Sequence, residues 1–316
     1  MKTNSLINGG TFSKKHRKNK RRRINKKQHS EKPMTVCIAA IAEALTDSPK
    51  IIFAADRLVS AGVCFESGVP KIRELTNYAY VMISSNDANA SDLIATRVQK
   101  IVFDNLEKKN RLTIEQIADL FSKECEMRLK QDKEKMIFYD YALTSEEFKN
   151  KSKDLHDRIV QEIISKIYNY EYPLITSFLI LGIDSNPHIY TVDQDGDVRL
   201  WDSIGFATAG DGGYLAYPEI TKFSYNPNAS LSEVLVRVYN SKKVAERVRG
   251  VGKSTDLAAL WVAPNKEVAL WVAPNEVYEL LDKGIENMRD KENEIYTNVM
   301  TELHTMFTKK SSDESK

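Results

Sequence analysis

From position 34 onward the chain alternates between short apolar runs and longer amphipathic stretches. TVCIAAIA (35–42) and KIIFAADR (50–57) are too short for helices and flank the turn-prone TDSP, so they predict two strands. AGVCFESGVPKIREL and YAYVMISS continue in extended form. From Ser91 the period lengthens, with Ile94, Val98, Ile101 and Val102 on one helical face. Thr113-x-x-Gln116 then opens a second helix as a capping box, followed by Ile114, Ile117, Ala118, Phe121 and Cys125. Residues 140–172 are polar and helix-prone and predict an inserted helical stretch.

Strands return at SFLILGID, HIYTVDQ and DVRLWDSIGFATA, with Asp195-Gly196 as a hairpin turn. Ser230-x-x-Glu233 predicts a second capping box. ALWVAPN occurs at 259–265 and again at 269–275, which reads as a hairpin rather than a solenoid. A final helix carries Tyr278, Leu281, Ile285 and Met288 on one face. The order ββ–αα–ββ–α–ββ–α predicts an α+β fold of two antiparallel sheets with helices outside them.

Charge divides the chain. The net charge of +2 over 316 residues conceals 12 Lys/Arg and a single acid within residues 1–33, which leaves −9 for the remainder. A run such as KKHRKNKRRRINKKQH repels itself and has little apolar surface to bury, so residues 1–33 are expected to be a disordered basic extension. It reads either as a tether to nucleic acid or another anionic surface, or as an upstream extension with no part in the mature protein. The second reading is favoured, because Met34 stands where a start would make sense. The acidic body argues against a nucleic-acid-binding domain. Residues 34–308 are expected to form one domain and 309–316 a polar tail. No run approaches the roughly 20 apolar residues of a membrane span. Cys37, Cys64 and Cys125 are an odd count without C-x-x-C spacing, which predicts a reducing, cytoplasmic setting.

Several motifs fail. GVGKST (250–255) has Arg247 where a phosphate loop needs its first glycine. DQDGD (193–197) places its glycine too early for a calcium loop and reads as a hairpin tip. The five histidines are scattered and read as surface residues, so neither a metal nor a cofactor is expected.

One constellation survives. Thr35 follows Met34 and begins an apolar strand. Removing Met34 would leave an amine and a hydroxyl on one residue, a base and a nucleophile together; such an amine titrates near ~7.7–8.0. This chemistry needs a buried cation held by a buried acid. Asp56, ending IIFAA, and Lys71, after Gly68 and Pro70, have the required charges.

The segments TVCIAAIA, IIFAADRLVSAG, KIREL and DANASDL, and later LILGIDSNPHIYTVDQDGDVRLWDSIGFATAGDGGYLAYPEI, resemble a proteasome β-type subunit or its bacterial ring-forming relatives, members of the N-terminal-nucleophile hydrolases. The resemblance spans roughly 35–135 and 176–275. It implies a four-layer αββα sandwich and threonine-type amide hydrolysis through an acyl-enzyme ester, with Thr35, Asp56 and Lys71 as the catalytic residues. It further implies peptide or unfolded-protein substrates and a homo-oligomeric ring, and leaves any ATPase partner unspecified. Asn86 stands where the family has an oxyanion-hole glycine, and Gly210-Asp211-Gly212 where it has a Ser between glycines, with Asp211 able to reach the Thr35 amine. Val248 and Val251 fall near the places of the family's Asp–Ser pair. The alternatives are a non-catalytic ring subunit and a small-molecule amidohydrolase of the same superfamily.

Overall fold

The computed structural model describes residues 35–60, 64–66 and 70–313. The basic extension and the end of the polar tail, 314–316, lie outside them. Sheet I joins β1 (Cys37–Ala42), β2 (Lys50–Asp56), β10 (Phe206–Ala209), β11 (Thr255–Val262) and β12 (Val268–Val272) in the order β10-β1-β2-β11-β12. Sheet II is β5-β6-β7-β8-β9, from β5 (Ile72–Thr76), β6 (Ala79–Ser85), β7 (Thr176–Ile183), β8 (Pro187–Asp193) and β9 (Val198–Leu200). Every pairing in both sheets is antiparallel. A separate short ribbon pairs β3 (Leu58–Ser60) with β4 (Cys64–Glu66).

The strands are apolar on both faces because both faces are covered. In β1, Ile38, Ala40 and Ala42 pack toward α5 (Gly213–Thr221), α6 (Leu231–Ala245) and α7 (Asn275–Asp313). The alternate residues Cys37, Ala39 and Ile41 meet Tyr80, Met82, Leu179 and Leu181 of sheet II. Sheet II does the same in reverse: Val81, Phe178 and Ile180 face α1 (Ala88–Glu107) and α2 (Ile114–Phe138). Period two thus distributes one strand between two cores, which is why the runs look continuous rather than alternating. Phe53 and Tyr80 bring their rings within 5.8 Å between the sheets, and Phe121 meets Phe178 at 4.9 Å in the helical layer. The result is the four-layer sandwich, an α+β fold with seven α-helices among the described residues.

Local signals mostly act as read. Thr113 and Gln116 form the reciprocal cap. The first helix starts at Ala88 rather than Ser91, because the Asp87 carboxylate accepts the Ala90 N–H at 3.1 Å and caps it earlier. Ser230 caps α6 through the Glu233 N–H, but the Glu233 carboxylate turns to Arg237 at 2.9 Å and leaves the box half made. DVRLWDSIGFATA is two strands in different sheets, since a turn at 201–205 carries the chain across the sandwich. The duplicated ALWVAPN copies pair as the β11–β12 hairpin. The inserted stretch forms α3 (Ser145–Lys151) and α4 (Asp157–Tyr168), which close a small core of Ile137, Phe138 and Ile163. Helix α7 buries Leu281 and Ile285, whereas Met288 is exposed, and the helix continues to Asp313.

Candidate active site

Antiparallel pairing of β1 with β2 sets Cys37 opposite Ala55, so the start of one strand and the end of the other meet at one edge of sheet I. There the Asp56 N–H donates to the Val36 carbonyl at 3.2 Å. The pairing of Thr255 with Asp56 brings the start of β11 to the same edge, and the pairing of Ala209 with Cys37 brings the end of β10. Lys71 immediately precedes β5 of sheet II, and its carbonyl accepts the Ile83 N–H at 3.3 Å. Ends of both sheets therefore converge on one place.

The three charged and hydroxyl groups anticipated there do meet. Lys71 Nζ lies 2.9 Å from Thr35 Oγ1 and 2.9 Å from Asp56 Oδ1. Asp56 is fully buried, Thr35 is 4% exposed, and the Lys71 side chain is 11% exposed. A carboxylate withdrawn from water costs several kcal/mol, on the order of its lost hydration, unless charge and hydrogen bonds replace it. Here Oδ1 accepts the Val36 N–H at 3.0 Å besides the ammonium, and Oδ2 accepts the Leu58 and Gly252 N–H groups, each at 3.0 Å. The carboxylate is consequently fixed in position and orients the lysine toward the threonine hydroxyl.

The glycine turn after β10 holds the other side of Thr35. The Gly212 N–H donates to the Thr35 carbonyl at 2.9 Å. Gly210 has φ +86°, and a Cβ there would lie 2.2 Å from the same carbonyl oxygen, so both its backbone conformation and its contact require glycine. Asp211 is exposed on this turn and makes no hydrogen bond to Thr35 among the described residues.

Asn86 departs further from expectation. Its N–H donates to the Ile175 carbonyl at 2.9 Å, and its side chain bridges the same segment, from Nδ2 to the Pro173 carbonyl at 2.8 Å and from the Ile175 N–H to Oδ1 at 2.9 Å. A backbone amide has one hydrogen, so in this arrangement that hydrogen is not offered to an oxyanion. A polar cleft beside it is lined by Asp87, Arg128, Asp132 and Lys135.

Val248 and Val251 are buried in the helical core and carry no polar group toward the site. The neighbouring Gly252 lies inside GVGKST, and no sequence pattern assigns it to the site. Its requirement for glycine is steric: a Cβ there would stand 2.9 Å from Leu58 N and 3.1 Å from Asp56 Oδ2. Cys37, two residues from Thr35, is wholly buried, and burial pushes its thiol up to about 12, so it is no nucleophile at neutral pH.

His188 corrects the reading of the histidines. The β7–β8 hairpin sets it half-buried between Asp202, 2.6 Å from Nδ1, and Asp184, 3.2 Å from Nε2. The Asp202 hydrogen bond raises its pKa above the ordinary histidine value. Among the described residues there is no group of three or more His, Cys, Asp or Glu side chains able to hold a metal ion. No described helix is long and apolar enough to cross a membrane.

Comparison with protein families finds that residues 136–243 match the family Proteasome subunit. The match supports a proteasome-type subunit. Its span runs from the end of α2 through the inserted helices, β7, β8 and β9 of sheet II, β10 and the Gly210–Gly212 turn into α6, about a third of the chain. Thr35, Asp56 and Lys71 lie outside the matched residues. Among curated proteins, no match was found.

Proposed function

We propose that this proteasome-type chain is a threonine-type amide hydrolase whose nucleophile is Thr35 Oγ1. The observation that carries the reading is the partly buried Lys71 ammonium, 2.9 Å from both Thr35 Oγ1 and Asp56 Oδ1. A hydroxyl is a weak nucleophile at neutral pH, and a nearby cation stabilises it as its proton leaves. With Met34 removed, the Thr35 amine accepts that proton while Oγ1 bonds to the substrate carbonyl carbon. The resulting ammonium passes the proton to the leaving nitrogen as the C–N bond breaks, which leaves an ester on Thr35. Water, deprotonated by the same amine, then attacks the ester carbonyl, releases the carboxylic acid and restores the hydroxyl. Asp56 takes no proton in this sequence; it fixes Lys71. Substrates on this reading are peptides or unfolded proteins, and the family relation implies assembly into oligomeric rings.

The test is the residue at the mature N-terminus, read by mass spectrometry, together with labelling by a peptide epoxyketone, whose two electrophilic carbons require hydroxyl and amine on one residue. The reading expects a chain that begins with Thr35 and one adduct there. A chain in which Thr35 remains joined to Met34 and takes no adduct overturns it.

A second reading, a non-catalytic subunit of the same fold, is favoured by the commitment of the Asn86 amide to Ile175. Such a protein assembles and never labels.

A further inference from the structure

One lysine among the described residues is wholly buried. Lys242 lies on α6 and is completely buried, which for a lysine requires that every ammonium hydrogen find an acceptor. Its Nζ has three: Glu246 Oε1 at 2.6 Å, the Gly252 carbonyl at 2.9 Å and the Lys253 carbonyl at 2.8 Å. Burial lowers its pKa from the ordinary lysine value, and Glu246 opposes that shift. Two of the three acceptors belong to the segment whose Gly252 N–H donates to Asp56 Oδ2. The catalytic sequence above makes no use of Lys242.

We infer that Lys242 is a positioning residue that sets Asp56, and through it Lys71, by clamping the carbonyls of Gly252 and Lys253. The path consists of contacts already described: Lys242 holds the 252–253 carbonyls, the Gly252 N–H holds Asp56, and Asp56 holds Lys71 against Thr35 Oγ1. A loop with an alternative to this arrangement would release Oδ2 from one of its two amides. The Glu246 carboxylate neutralises the buried cation and pairs with Lys243 on the same helix. The inference rests on the hydrolase reading only for its consequence; the placement of Asp56 is independent of whether Thr35 reacts.

The test compares Lys242→Met with Glu246→Gln in the full chain. Amide hydrogen exchange is read at Gly252 and Leu58, the two donors to Oδ2, with Ile180 and Leu181 of β7 as remote references. Loss of the clamp should speed exchange at Gly252 and Leu58 by about tenfold or more and leave the references unchanged, while Glu246→Gln, which keeps the clamp and strips the buried cation of its counter-ion, should speed donors and references by similar factors. Epoxyketone labelling of Thr35 should slow at least as much in Lys242→Met, through kcat-like capture rather than through weaker reagent binding. Equal acceleration at the references marks a merely structural role and overturns the inference, as does exchange at Gly252 within about twofold of the parent. If Lys242→Met does not fold, Lys242→Gln, which keeps a neutral donor of shorter reach, carries the same comparison. Accelerated local exchange in a protein that never labels upholds the positioning role and removes the hydrolase reading instead.

Discussion

The Gly252 N–H lies 3.0 Å from Asp56 Oδ2 although 196 positions separate the two residues. This single contact joins the end of β2 to the loop before β11 and completes the environment of a carboxylate with no exposure to water. The ion pair with Lys71 depends on that environment, because an exposed pair contributes only ~0–1 kcal/mol while a buried one broken from one side costs ~3–5 kcal/mol.

Lys71→Ala is therefore expected to lower both activity and stability. Amide hydrolysis should fall at least about 100-fold, as when an electrostatic partner of a transition state is removed. The Asp56 carboxylate, left with its backbone donors and no cation, should cost about 3 kcal/mol of unfolding free energy, measured in urea. Lys71→Met with parental turnover would place the nucleophile elsewhere.

Gly252→Ala should destabilise by about 1–3 kcal/mol, since its Cβ would meet the Leu58 backbone at 2.9 Å and the rim of Asp56 at 3.1 Å. Thermal unfolding and Thr35 labelling should both report the change. Gly284→Ala is the control, because nothing lies within 4 Å of a Cβ there.

Cys37 should resist alkylation in the folded chain. Its thiol is pushed to about 12 by burial, against the pull of Lys71, so at pH 8 almost none is thiolate. Iodoacetamide followed by mass spectrometry should find Cys37 unmodified until denaturant is added.

His188 should give stability a pH dependence. Its pKa is raised in the folded state by Asp202 and lies at about 6.5 in the unfolded chain. The folded state thus binds the proton more tightly; the contribution is full below about pH 6.5 and is lost as pH rises through the folded value. Urea midpoints should fall across that window in the parent and fall less in His188→Gln.

Ile163→Ala should act locally. Ile163 is fully buried with Ile137 and Phe138 in the small core of the inserted helices, and truncation there should cost about 2–4 kcal/mol within that unit. Exchange should rise across α3 and α4 while β6 and β7 keep their protection.

Much of the sandwich can be read from residue order. The runs at 35–42, 50–57 and 177–184 are long enough for strands and too uniform for half-exposed ones, and two covered faces account for that. Thr35 and Asp56 are legible because they sit at the two ends of apolar runs that antiparallel pairing brings together, and Lys71 because it is a cation just ahead of the next strand. Gly252 and Lys242 are not legible in that way, because they arrive from the far end of the chain. Lys242 did leave a trace: it follows Val234 and Val238 at intervals of four and thus lies on the apolar face of α6. The engagement of Asn86 is not legible, because its partner, Ile175, follows the inserted helices, whose return path no local pattern predicts.

Among the described residues, Thr35 is secured through its carbonyl, to Gly212, and through its hydroxyl, to Lys71. Neither anchor uses the nitrogen that joins it to Met34. Severing that peptide bond would leave both of these contacts in place and set an amine beside the held hydroxyl.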